Sequence, residues 1–129
     1  MDLLVGNEIR DPVVVMTVAG DVDVFSAPHL RENLDRNIAT GHLHLVVDLQ
    51  DVPFMDSTGM GVLVDRLKLL RLHGGSVRVV CTVPRILRLF AITGLDVVLP
   101  TYETVDEAVA ATHDVLRSTV DDSVPDSRE

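Results

Sequence analysis

Apolar runs of strand length alternate with segments of helical period along almost the whole chain. That alternation leaves few folds open. Pro12 to Ala19 (PVVVMTVA) is a near-continuous β-branched run, the mark of a strand buried on both faces or nearly so. Leu43, Leu45, Val47 and Leu49 alternate with His42, His44, Val46 and Asp48, which predicts a strand with one strongly apolar face. Val77 to Val83 is a further strand, with Arg78 its only charge, and two short ones are expected at 2–6 and at 96–99, the latter stopped by Pro100. Helical period fills the gaps. Leu30, Leu34 and Ile38 form a narrow stripe on a helix capped by Ser26, with Pro28 in its first turn and Gly41 at its stop. Met60, Leu63, Val64, Leu67 and Leu70 form the core stripe of the longest helix, about Ser57 to His73, ended by Gly74-Gly75. Pro84 opens a short helix closed by Gly94, and Thr104 caps a last one with Glu103, Asp106 and Glu107 in the favourable N-terminal turn.

The order is therefore strand, strand, helix, strand, helix, strand, helix, strand, helix. Strand–helix–strand units cross over right-handed and give parallel neighbours, and the first hairpin makes the sheet mixed. The expectation is one α/β domain over residues 1–117. Residues 118–129 (STVDDSVPDSRE) show no periodicity and are expected to form a disordered acidic tail.

Charge and composition narrow the function. Twenty acidic residues against 11 basic ones give a net charge of −9, which argues against nucleic acid and against an anionic membrane surface. There is no Trp, so base stacking or a sugar platform also looks poor. No apolar run approaches the roughly 20 residues that span a bilayer, and no basic stretch followed by an apolar one opens the chain. A lone cysteine, Cys81, forms no intramolecular disulfide. These features point to a cytoplasmic protein with no direct membrane insertion. No cofactor and no metal are expected, because His29, His42, His44, His73 and His113 show no metal spacing with a cysteine. His42 and His44 are read as surface residues.

One junction carries the candidate chemistry. Val47 to Leu63 (VDLQDVPFMDSTGMGVL) reads as a strand end, a loop with Pro53 and the apolar pair Phe54-Met55 tucked under the next helix, and a helix start at Ser57. Asp56 is placed to cap that helix by accepting N–H groups of Thr58 or Gly59. The plain reading of Asp-Ser-Thr-Gly is a good helix start. Two glycines in the first turns, Gly59 and Gly61, each cost about 1 kcal/mol against Ala, and a helix start does not need them. Gly59 fits tight packing on the sheet. Gly61 lies one turn above Ser57 and Asp65 one turn above that, so the face beside Ser57 is bare backbone, flanked by a Val62 expected to be exposed. Such a face suits close approach by another protein. Ser57 lacks the Gly-x-Ser-x-Gly frame of a hydrolase nucleophile, since Met55 stands two residues before it, and no base is in a recognisable motif. As a phosphate acceptor it needs only an exposed hydroxyl on a firm support, because a kinase supplies base, metal and ATP. A phosphate adds about −1.5 to −2 charges. It would repel an acidic partner from a rim already holding Asp56, Asp21 and Asp23.

The run VVDLQDVPFMDSTGMGVLV followed by GGSVRVV strongly resembles the STAS domain of bacterial anti-sigma factor antagonists, and GDVDVFSAPHLRENL matches that family's strand–turn–helix. The resemblance covers about residues 10–115. It implies a mixed sheet with helices packed mainly on one face, and a regulatory rather than enzymatic role. It implies partner switching: the unphosphorylated protein binds an anti-sigma factor that is also a serine kinase of the GHKL type, which releases sigma factor. Phosphorylation of the matching serine, Ser57, breaks the complex, and a serine phosphatase resets it. The matching turn aspartate at the kinase interface is Asp23, and Thr58 is a second candidate phosphosite. The partner-binding set expected on this basis is Asp21, Asp23, Asp56, Ser57, Thr58, Gly59, Gly61, Val62 and Asp65. The same motif would also serve a STAS scaffold in a stressosome-like or transporter-associated assembly, with Ser57 unmodified. An enzyme using Ser57 as nucleophile is the remaining alternative.

Overall fold

The computed structural model describes residues 3–127, and their side chains as far as residue 118. Ten elements follow in order: β1 (Leu4–Arg10), β2 (Val13–Ala19), α1 (Ala27–Ala39), β3 (His44–Asp51), α2 (Ser57–Arg71), β4 (Ser76–Val80), α3 (Pro84–Thr93), a 3-10 turn (Leu95–Val97), β5 (Thr101–Tyr102) and α4 (Val105–Ser127). The strands lie in the sheet in chain order. β1 is antiparallel to β2, and every later pair is parallel.

Helices cover both faces unequally. Val14, Met16, Val18, Leu45, Val47, Leu49, Val77 and Val79 point to one face and pack with α1, α2 and α3 in the main core. Val13, Val15, Val46 and Val80 point to the other, where Ala108 and Val109 of α4 close a smaller core. β2 is thus buried on both sides, and only Thr17 among Val13–Val18 is exposed. Alternation in one strand feeds two cores because successive side chains leave opposite faces. Arg10 of β1 donates to the Asp106 carboxylate at 2.7 Å and ties α4 back across the first hairpin.

Several expected boundaries move. β1 extends to Arg10, because it is held by backbone pairing from Leu4↔Ala19 to Arg10↔Val13 and not by a buried side-chain pattern. β4 ends at Val80, three residues early. No strand forms over 96–99. Gly94, in the left-handed region at φ 75°, ends α3 and feeds the 3-10 turn, which buries Leu99. The last strand comes after Pro100, not before it. Pro100 has no N–H to give, but its carbonyl accepts the Val79 N–H at 3.0 Å and starts the β4–β5 ladder. α4 runs past residue 117, so the expected tail boundary falls inside it. Side chains from 119 on, and residues 128–129, lie outside the described residues.

Candidate functional site

The site is built at the carboxyl end of β2 and β3, where two loops are laced together through one residue. Val22 donates its N–H to the Phe54 carbonyl at 2.9 Å and accepts the Asp56 N–H at 3.1 Å, a parallel bridge that also pairs it with Met55. Gly20 donates to the Asp51 carbonyl at 3.1 Å just before it. Residues 20–26 and 51–56 therefore form a continuous surface.

Asp56 takes an extended backbone (φ −102°, ψ −175°) as the N-cap of α2, and its Oδ1 accepts from the Thr58 N–H at 2.9 Å and the Gly59 N–H at 3.4 Å. Ser57 is the first helical residue. Its side chain is exposed, and among the described residues its hydroxyl has no hydrogen-bond partner. Thr58 beside it is exposed as well. Gly59 faces inward. A Cβ there would lie 2.5 Å from Val22 Cγ1 and 3.0 Å from Met55 Cγ, so only glycine lets α2 sit this close to the Val22 bridge. Gly61 meets the opposite condition: a Cβ would find nothing within 4 Å, and the residue is open to solvent with Asp65 one turn on.

Val62 is not on that face. It is 8% exposed and packs into the main core with Leu63, so the expected exposed flank is wrong. α2 buries a broad arc, Gly59, Met60, Val62, Leu63, Leu67 and Leu70, and the sequence reading took too narrow a stripe. The Phe54-Met55 pair also divides. Met55 is buried, whereas Phe54 points outward.

Asp23 holds the other loop. Its Oδ1 accepts the Phe25 N–H at 2.9 Å and the Ser26 N–H at 3.0 Å, with the Ser26 hydroxyl at 3.3 Å. The Ser26 N–H, then burial working in the opposite direction, then the Phe25 N–H, determine a carboxyl that titrates below the usual 3.8. Ser26 precedes α1 as expected, but its hydroxyl gives no helix cap. It donates instead to the Asp21 carbonyl at 2.7 Å and accepts the Asp23 N–H at 3.0 Å. The turn is an Asx-type loop held by side chains at both ends. It presents Val24 and Phe25 to solvent, Phe25 with 90% of its surface exposed. Sequence reasoning missed this pair. The available signal was an apolar dipeptide in a turn, outside every periodic stripe.

The histidines stand apart. His44 is half-buried, not a free surface residue, with Nδ1 3.0 Å from Ser76 Oγ, and burial first, Arg78 second, push its pKa below 6.5. Among the described residues no cluster of three or more His, Cys, Asp or Glu could hold a metal. No helix among them is long and apolar enough to cross a membrane.

A mixed five-stranded sheet with an aspartate-capped serine raised on its second helix defines a member of the STAS domain family, and that family's model matches residues 6–108. The chain belongs to it. Within the family it is similar to the anti-sigma-B factor antagonist of Bacillus subtilis (strain 168), 42% identical over 95 residues, covering 74% of this chain and 86% of that protein. The anti-sigma-B factor antagonist of Staphylococcus aureus (strain NCTC 8325 / PS 47) is 36% identical over 95 residues, 74% of this chain and 88% of its own. Among solved structures, an anti-sigma factor antagonist from Mycobacterium paratuberculosis superposes with a TM-score of 0.79 at 32% identity, over 84% of this chain and 92% of that one.

Proposed function

We propose that this chain is an anti-sigma factor antagonist switched at Ser57. The unmodified protein docks the surface around Ser57 on an anti-sigma factor and so frees the sigma factor. That partner is a serine kinase of the GHKL type. It transfers the γ-phosphoryl group of ATP to Ser57 Oγ, the hydroxyl proton leaves, ADP departs and the complex ends. A serine phosphatase hydrolyses the phosphoester and restores the binding form. The observation that carries this reading is the Ser57 hydroxyl, exposed and unbonded at the first residue of a capped helix, beside a Gly61 that nothing in the interior requires. The similarity to proteins named anti-sigma-B factor antagonists supports it.

The rim has its own chemistry. Val24, Phe25 and Phe54 offer exposed apolar surface, and Asp21, Asp56 and Asp65 surround the serine with negative charge. A complementary partner carries apolar sockets for these side chains and fits closely around the bare Ser57 hydroxyl, and its own acidic groups are repelled once a phosphate is added. A phosphate on Ser57 would stand beside the Asp56 carboxylate, which already occupies the Thr58 and Gly59 N–H groups. The helix end itself favours an anion, so the helix stays formed and the added charge acts on whatever is docked there.

The test uses three baits in host lysate: wild type, Ser57→Ala and Ser57→Asp. Mass spectrometry identifies what each recovers, and the intact mass of the wild type is read after ATP and magnesium are added. A kinase-like anti-sigma factor kept by Ser57→Ala and lost by Ser57→Asp, with one phosphate gained at Ser57, is the expected result. Equal recovery by all three baits and no phosphate would leave Ser57 as an unmodified first helical residue of a scaffold protein. Addition of the phosphate to Thr58 alone would move the switch by one residue.

A further inference from the structure

The sheet ends differently on its two sides. β5 is two residues long, whereas β1 runs for seven at the opposite edge and is paired only on its inner side, to β2. Among the described residues, nothing is hydrogen-bonded to the outer backbone edge of β1. The strand also lacks the usual guards of a free edge: it has no Pro, no Lys and no bulge in its register with β2.

Its side chains sort by face. Leu4, Gly6, Glu8 and Arg10 lie on the α4 side, since they pair with Ala19, Thr17, Val15 and Val13. Val5, Asn7 and Ile9 lie on the α1 side, opposite Val18, Met16 and Val14 of the main core. Leu4 is 69% exposed and Ile9 64%. A Cβ on Gly6 would meet nothing within 4 Å. Nothing inside the molecule therefore asks for a glycine in mid-strand, whereas close approach of a second backbone does. Asn7 Oδ1 accepts from Asn37 Nδ2 at 3.0 Å, and the Asn7 side-chain N–H groups have no partner among the described residues. Glu8 and Arg10 pair with each other at 3.1 Å, so the strand carries no net charge in a chain of −9.

We infer that this edge docks a second copy of the chain, β1 against β1 and antiparallel, about a two-fold axis at Asn7. In that register all seven residues pair. Val5 stands opposite the other copy's Ile9, twice, on the α1 side, and the two Asn7 amides meet at the axis. On the α4 side Gly6 leaves room for the other copy's Glu8, and Leu4 lies against the apolar stem of its Arg10. The registers one step either side are worse. Centred on Glu8, two carboxylates stand opposite each other; centred on Gly6, Val5 meets Asn7 and Leu4 meets Glu8. The neutral strand is also where two strongly acidic copies approach with least repulsion. Seven residues give about 24 Å of edge, a small contact, so the dimer is weak and reversible. Antiparallel pairing points the Ser57 ends of the two copies in opposite directions and leaves both open. The inference stands whether or not Ser57 is phosphorylated.

The full-length chain is followed by sedimentation equilibrium and, 15N-labelled, by NMR at rising concentration. The mass should climb from one chain toward two between about 10 µM and about 1 mM, the range of a weak contact. Amide shifts should be largest from Leu4 to Arg10, with the Ser57 end unmoved. Ile9→Lys, at an exposed site, should weaken association at least tenfold. Asn7→Cys should form an interchain disulfide at least tenfold faster than Leu72→Cys, which is exposed but far from the axis. Should Ile9→Lys fold poorly, the wild-type shift map and the disulfide rates stand without it. The inference is overturned if the mass stays at one chain throughout, if the shifts gather elsewhere, such as at Val24, Phe25 and Phe54, or if Ile9→Lys associates as well as wild type. Equal disulfide rates for Asn7→Cys and Leu72→Cys overturn it as well. A peptide of the Leu4–Arg10 sequence should move the same amides. An equal response to a scrambled peptide of that composition would make the edge a general strand acceptor and overturn the self-pairing.

Discussion

Gly59 and Gly61 stand two residues apart on one helix and answer to different constraints. A methyl group at Gly59 would meet the stiff, fully buried side chain of Val22 at 2.5 Å. Gly59→Ala should therefore destabilise the fold by about 1–3 kcal/mol through overpacking, despite the better helix propensity of Ala. Gly61→Ala meets open space and should raise stability by up to about 1 kcal/mol. Urea denaturation of both variants gives the sign of each. Under the proposed function, Gly61→Ala also weakens partner recovery, which separates binding from folding. Asp23 offers a second residue-scale check. Its carboxyl should titrate below 3.8 by NMR, and Ser26→Ala should move that midpoint upward. A depressed carboxyl favours the folded state above the ordinary range, and that contribution fades as pH falls through the folded value. Most of this site could be read from the sequence, because Asp-Ser-Thr-Gly is local chemistry: a cap, a hydroxyl and two backbone positions. Val62 and Phe25 could not. Which way each points depends on how far α2 sinks into the sheet and on the Val22 bridge, both long-range facts.

At the scale of elements, β2 is legible because burial on two faces forces a continuous apolar run, and β3 because its apolar residues alternate with polar ones. β1 and β5 are not. Each is defined by backbone hydrogen bonds to a neighbour, and their side chains are mostly exposed or half-buried. The misplaced last strand has a physical reason too. Asp96 to Leu99 has a strand's composition, but Gly94 has already turned the chain, and Leu99 reaches the core from the bend that follows the 3-10 turn. The start of α4 was read correctly. The Thr104 hydroxyl accepts the Glu107 N–H at 3.1 Å and donates to the Glu107 carboxylate at 3.0 Å. Thr104→Ala should cost about 1 kcal/mol, measured by chemical denaturation, with Thr104→Ser largely retaining the cap.

For the whole molecule, the side of the sheet that α4 covers carries a histidine-linked pH sensitivity. His44 on β3 shares that face with Arg78 on β4 and with Thr112 and His113 on α4. Burial and Arg78 hold its pKa below 6.5, so the unfolded chain takes up a proton before the folded one does. Stability should fall as pH drops through about 6.5 and level off below the folded value. His44→Gln should flatten that part of a stability-against-pH curve measured in urea. The Val22 bridge has a different consequence for the molecule. Val22 and Asp56 lie outside the named strands, yet each N–H is locked to a carbonyl across the junction, and their amide hydrogens should exchange with solvent on the slow timescale of strand interiors. The recognition surface then works as a template already cast. Little ordering is left for this chain to do on association, so the entropic cost of fitting falls on whichever molecule meets it.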